Sequence, residues 1–170
     1  MENKQVRKIE QIALRIEGSL LTFEMILLPL ILVGATLVYT GKVALGIPIG
    51  FGAAMILTMI YFFRWFYPDL VTPLHGFMFK LLSFTLAIGT LGAIFTLFHM
   101  ANGKLFIVIA MADTLVNAGF WLFFKNKATG NPLIAKGDAI RLLVVFAICA
   151  ILLMVELPVP EAFLQPVIIE

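Results

Sequence analysis

The chain has 170 residues, 62% of them hydrophobic and 13% charged, with a formal net charge of +2. Soluble domains carry roughly 45–50% apolar residues, so this composition excludes an ordinary water-soluble domain, and so small a net charge leaves no footprint for nucleic acid. A single cysteine, Cys149, excludes an intramolecular disulfide and a cysteine-based metal site.

The first element is charged and amphipathic. Val6, Ile9, Ile12, Ala13 and Ile16 recur at helical spacing, with Lys4, Arg7, Lys8, Glu10 and Arg15 elsewhere around the wheel. This pattern predicts a short helix over residues 1–18 lying on the membrane surface ahead of the first crossing. A docking helix for a partner is the alternative. No small-residue cleavage pattern follows, so the first apolar run is expected to stay attached.

Five apolar runs then approach the roughly 20 residues that a helix needs to cross the bilayer. They cover 20–39, 43–63, 77–98, 105–124 and 139–155. Pro29 is expected to bend the first and free backbone carbonyls. Thr40, Gly41 and Lys42 alone join the first two, which demands a tight antiparallel hairpin with Gly41 at the turn. The third and fourth are joined by residues 99–104, with Asn102 and Gly103 as the turn. Aromatic residues at 61–67 and 121–124 mark span ends at the headgroup level. Pro68 and Pro73 keep the loop between spans two and three from becoming helix, and Pro158, Pro160 and Pro166 predict an extended tail. Together these elements predict an all-α, polytopic transmembrane helix bundle of about five spans, forming one membrane domain.

Ten of the twelve Lys and Arg residues fall on one side of this threading: Lys4, Arg7, Lys8, Arg15, Arg64, Lys80, Lys125, Lys127, Lys136 and Arg141. Only Lys42 and Lys104 fall on the other. By the positive-inside rule the N-terminus is cytoplasmic and the tail from residue 156 is extracytoplasmic.

Small residues decide where helices approach closely in lipid. Span two offers Gly46, Gly50 and Ala54 at four-residue steps, and span three offers Gly89 and Ala93. Such faces serve contacts within a monomer or between subunits, and the spacing alone does not choose.

Within the hydrocarbon the expected ionisable groups are Glu24 and Asp113. An acidic residue at a helix centre costs roughly 2.5–3.5 kcal/mol on insertion scales, so both are expected to face the bundle or a water pocket. Around span four, Ala110, Asp113, Thr114, Asn117, Ala118 and Trp121 share one sector, while Val108, Ala112, Leu115, Val116 and Phe123 form an apolar back. On this threading the two acids differ by about 12 Å in depth, which fits two steps of a path better than a shared proton. No Lys or Arg is expected beside either acid, leaving protonation, a cation or hydration to satisfy them. Asp113, Asn117 and Thr114 supply hard oxygen ligands suited to a proton or an alkali-type cation. The structural alternative is that Asp113 is simply an interhelical hydrogen-bonding residue.

Ser19, Ser83, His75 and His99 build no catalytic constellation, and no phosphate-cradling loop or spaced metal motif occurs. No cofactor and no metal are expected. The function expected is a small transport or permeation unit for protons or a small cation, with Asp113, Asn117, Thr114 and Glu24 along a polar path. The alternative is a non-catalytic membrane subunit or assembly factor; a lipid-handling enzyme is a third, weaker reading. Expected partners are the lipid bilayer and either further copies of the chain or another membrane protein, in a bacterial-type plasma membrane.

Overall fold

The computed structural model describes residues 2–67, 72–124 and 135–157, with side chains from Lys8 onward. Five helices carry the fold: α1 (Glu2–Tyr39), α2 (Val43–Phe66), α3 (Pro73–Leu97), α4 (Gly103–Phe124) and α5 (Lys136–Met154). Each contains a window long and apolar enough to cross a membrane, and no strand occurs among the described residues. The protein is therefore a multi-pass, membrane-embedded helix bundle, as expected. Pro68, Lys125 and Lys127, and the proline-rich tail, lie outside the described residues.

Several boundaries differ from expectation. Helix α2 runs on to Phe66 rather than 63, and α5 starts at Lys136 rather than 139. Helix α3 starts at Pro73 rather than 77, so that Pro73, expected to keep the loop from becoming helix, is its first residue, where a missing N–H costs nothing. The surface helix over 1–18 is not a separate element, because α1 is one 38-residue helix from Glu2 to Tyr39. Its early residues are helix-compatible, the single Gly18 at the junction with the apolar run does not interrupt the helix, and Pro29 lies within the same helix. The second span is not plain α-helix throughout. Residues Ile47–Phe51 form a π-helical turn around Pro48, which has no N–H to donate to the carbonyl one turn back.

The short connections form two helix ends of the same kind. Gly41 takes a φ of 85°, and the amides of Gly41 and Lys42 bond the carbonyls of Val38 and Leu37 at 3.1 and 2.8 Å. These are the paired bonds of a glycine-terminated helix. At the end of α3, His99 takes the left-handed position with φ 54°, and His99 and Met100 bond Thr96 and Phe95 in the same pattern. Asn102 is also left-handed at φ 65°. Tyr39 joins the two turns, its hydroxyl donating to the Leu97 carbonyl at 3.2 Å and lying 3.2 Å from His99 Nε2. This side of the bundle is called the hairpin end below. The opposite side opens α3 with Thr72 as N-cap, its hydroxyl accepting from the His75 amide, and with Pro73 in the first turn.

Helix α3 is central. It packs against α2, α4 and α5, while α1 lies along α2 and α5 lies along α3 and α4. One apolar cluster joins α1, α2 and α3 through Leu27, Ile31, Leu57, Tyr61, Leu82 and Leu86. A second joins α4 and α5 through Ile107, Ala110, Cys149 and Leu152, with Ala93 of α3 against it.

The small residues of α2 are used inside the chain. A Cβ on Gly46 would stand 2.7 Å from the Gly34 carbonyl oxygen, and one on Gly50 would stand 2.9 Å from Gly34 Cα and 2.7 Å from the Phe98 ring. A Cβ on Gly34 would overlap the Gly50 backbone. Gly34 was not among the expected packing residues, since no other glycine stands at a four-residue step from it in its helix. Ala54 is 1% exposed in the same core. On α3, a Cβ at Gly89 would overlap Val145 of α5, and one at Gly92 would reach the Ile107 amide of α4 at 2.8 Å.

Candidate functional site

Two polar assemblies lie within the bundle. The first is built on α3 and α4 around Asp113. Asn117 follows Asp113 by one turn, so both side chains reach towards the same stretch of α3. Thr85 stands opposite, with its hydroxyl 2.9 Å from Asp113 Oδ2 and 2.9 Å from the Leu81 carbonyl one turn back on its own helix. Asn117 donates from Nδ2 to Thr85 Oγ1 at 2.9 Å and to the Asp113 backbone carbonyl at 3.0 Å. Thr85 and Asn117 are fully buried, whereas Asp113 sits at the edge of the interface with intermediate exposure. Asn117 Oδ1 has no hydrogen-bond partner among the described residues.

Of the expected residues, Asp113 and Asn117 are brought together. Thr114 is not: its hydroxyl donates to the Ala110 carbonyl at 2.8 Å, within its own helix. The polar sector is also narrower than expected. Ala110, Thr114 and Asn117 are buried, but Trp121 is 41% exposed. Val108, Ala112, Leu115, Val116 and Phe123 form the exposed back as expected.

Thr85 supplies what Thr114 was expected to supply. A threonine amid apolar residues reads as one that bonds its own helix, and Thr85 does so as well; its contact with α4 depends on helix packing.

The second assembly is a chain of charges across α1, α2 and α5. Arg64 is fully buried. Its Nε and Nη2 donate to the two Glu17 oxygens at 2.7 and 3.1 Å, and Nη2 also donates to Asp138 at 3.0 and 3.1 Å. Arg141 donates from Nη1 to Asp138 at 2.9 Å and from Nε to Glu24 at 2.6 Å. Tyr61 closes the chain by donating to the same Glu24 oxygen at 2.8 Å. Arg64 also lies over the Phe79 ring, 4.7 Å from its centroid. Its Nη1 has no partner among the described residues.

This network corrects two expectations. Glu24 does have a cation beside it, Arg141; and Arg64, expected among loop charges, is buried. The buried Glu24, Asp138 and Arg64 are joined by the half-buried Arg141, so that two acids face two cations. Glu17, whose side chain is 30% exposed, is the member nearest solvent. Such a set is tolerable away from water because each charge meets an opposite one through directed hydrogen bonds. The residues share faces by helical spacing: Tyr61 with Arg64, Asp138 with Arg141, and Glu17 with Glu24 two turns on.

The expected depth difference also shrinks. Counting from the hairpin end at 1.5 Å per residue, Asp113 lies about 15 Å deep, Thr85 about 18 Å, Arg141 about 20 Å and Glu24 about 22 Å. The contact of Gly89 with Val145 supports this register, since one turn further from the hairpin end on each helix are Thr85 and Arg141. The two acids therefore differ by about 7 Å in depth rather than 12 Å. Glu24 nevertheless belongs to the charge network, and Asp113 to the hydrogen-bonded trio with Thr85 and Asn117.

A cavity of about 390 Å³ opens at the hairpin end, lined by Thr96, His99, Lys104 and Glu156 among others. Asp113 is not part of its lining. Among the described residues no group of three or more His, Cys, Asp or Glu side chains is arranged to hold a metal ion. Compared with protein-family descriptions, curated proteins and solved structures, the chain matches none.

Proposed function

We propose that the protein is a small transport unit that moves protons across the membrane, with Asp113 as the group that takes up and releases them. The observation that carries this reading is the position of the Thr85 hydroxyl between Asp113 Oδ2 and the Leu81 carbonyl, at 2.9 Å from each. A hydroxyl has one proton to donate and two lone pairs to accept with. When Asp113 is ionised, Thr85 donates to it. When Asp113 carries a proton, Asp113 donates to Thr85, and the Thr85 hydroxyl turns to Leu81. Asn117 donates to Thr85 in both states. Proton uptake and release thus require a rotation about one C–O bond, with the heavy atoms in place.

In this reading the N-terminus is cytoplasmic, the membrane is a bacterial-type plasma membrane, and the charge network lies towards the cytoplasm. Arg141 and Tyr61 hold Glu24 at the cytoplasmic end of the path. Several copies working together suit so small a bundle, since complete alternating-access carriers are commonly built from paired repeats.

The test is proton flux in vesicles containing the purified protein, driven by a pH gradient with a permeant counter-ion. Asp113→Asn is expected to reduce flux to the level of empty vesicles while leaving insertion and helix content intact, because asparagine keeps the size and cannot ionise. Flux equal to that of the unaltered protein would remove the reading.

A second reading, a non-catalytic membrane subunit or assembly factor, is supported by the exposed α4 face beside Asp113. A Cβ added at Gly119 would meet nothing within 4 Å, and Val116, Phe120, Phe123 and Phe124 line an apolar groove around it. Gly46 and Gly50 of α2 do not support that reading, because the chain packs them against Gly34 of α1.

A further inference from the structure

Building on the proton reading of Asp113, we infer that the site discriminates by chemistry: it accepts a proton and rejects sodium, potassium and other alkali cations. Hard cations require several oxygen ligands converging on one point. Three side chains near Asp113, those of Thr85, Thr114 and Asn117, contain such oxygens, and only the Thr85 oxygen is hydrogen-bonded to the carboxylate.

Asn117 is the decisive one. Both of its N–H bonds are used, one towards Thr85 Oγ1 at 2.9 Å and one towards the Asp113 carbonyl at 3.0 Å. Rotating the amide by half a turn would set its oxygen against that carbonyl, acceptor against acceptor, so the backbone fixes which way the amide faces. Its N–H group, rather than its oxygen, therefore points into the trio. Thr114 gives its hydroxyl proton to Ala110 and stays with its own helix. Thr85 offers one oxygen, but a lone pair on it already receives the Asn117 proton. An alkali ion beside Asp113 would face an N–H donor where a ligand is needed. A proton needs a single acceptor, which Thr85 supplies.

The charged and titratable neighbours do not alter this balance. Helix α4 packs on α3 and α5. On α3 these groups are His75 and Lys80, both well towards the end away from the hairpins. On α5 they are Lys136, Asp138, Arg141 and Cys149. Asp138 and Arg141 bond each other and the charge network, and Cys149 lies against the Gly89 carbonyl at 3.8 Å. Among the described residues, none of these is hydrogen-bonded to Asp113.

The full chain in lipid vesicles can be treated with an apolar carbodiimide, which reacts with protonated carboxyls inside the membrane, and the label at Asp113 quantified by mass spectrometry. Labelling is expected to grow as pH falls and to be the same in sodium, potassium or choline chloride at equal ionic strength. Slower labelling in sodium or potassium at fixed pH would show that a cation occupies the carboxylate and would overturn the inference. Absence of labelling at every pH would overturn it as well. The outcome separates from the flux assay. Sodium protection together with Asp113-dependent flux would leave a transport function standing with a different ion, whereas pH-only labelling without flux would leave a proton site without transport.

Discussion

Arg64→Ala is expected to destabilise the protein by about 3–5 kcal/mol, the cost of removing one partner from a buried ion pair. Arg64 has no exposed surface, and Asp138, which accepts two of its bonds, is itself buried. Alanine leaves Asp138 facing Glu17 with only Arg141 to balance it, and it also removes the guanidinium from the Phe79 ring. The natural reporter is Cys149, the only cysteine in the chain, which is 1% exposed on α5. Where α5 opens before thiol modification, a loss of this size speeds modification by about 100-fold or more. Replacing Arg64 by Met and Asp138 by Leu together should recover much of the loss, because no uncompensated buried carboxylate then remains. Equal modification rates in Arg64→Ala and the unaltered protein would show that the network contributes little.

The second large effect is steric. Gly50→Leu is expected to cost about 3 kcal/mol or more, the upper end of what overpacking costs, because the obstacle is backbone. A Cβ at Gly50 already meets Gly34 Cα at 2.9 Å, so the α1–α2 hairpin cannot close around a larger side chain. Gly52→Leu is the matched control: a Cβ there meets nothing within 4 Å. Thermal unfolding in the same detergent should separate the two by many degrees. Equal midpoints would mean that α1 and α2 are not held at backbone contact.

These two predictions also mark what was legible in the sequence. The spans were, because an apolar run of membrane length has few other uses, and so was Gly41, because a three-residue connection between antiparallel helices needs a left-handed turn. The partnership of Asp113 with Asn117 was legible from one-turn spacing. Arg64 was not, since a lone arginine among aromatics at a span end looks like an interfacial anchor. Its partners Glu17 and Asp138 lie 47 and 74 residues away in the chain. Spacing could have raised the question: Glu17 and Glu24, Tyr61 and Arg64, and Asp138 and Arg141 each share a helix face. It could not have paired the faces, which depends on how the helices pack. Gly34 was hidden for the same reason, because its function is defined by Gly46 and Gly50 on the next helix. Thr85 needed the α3–α4 register before its hydroxyl could be placed beside Asp113.

Whether Asp113 takes up and releases a proton can be read from the infrared absorption of its carboxyl in lipid, taken as the difference between the unaltered protein and Asp113→Asn across a pH series. A protonated-carboxyl band is expected at low pH, replaced reversibly by carboxylate bands as pH rises, with the amide backbone bands unchanged. An Asp113 signal that keeps one form at every pH at which the protein stays folded would contradict proton exchange there, and would make the residue a fixed link between α3 and α4.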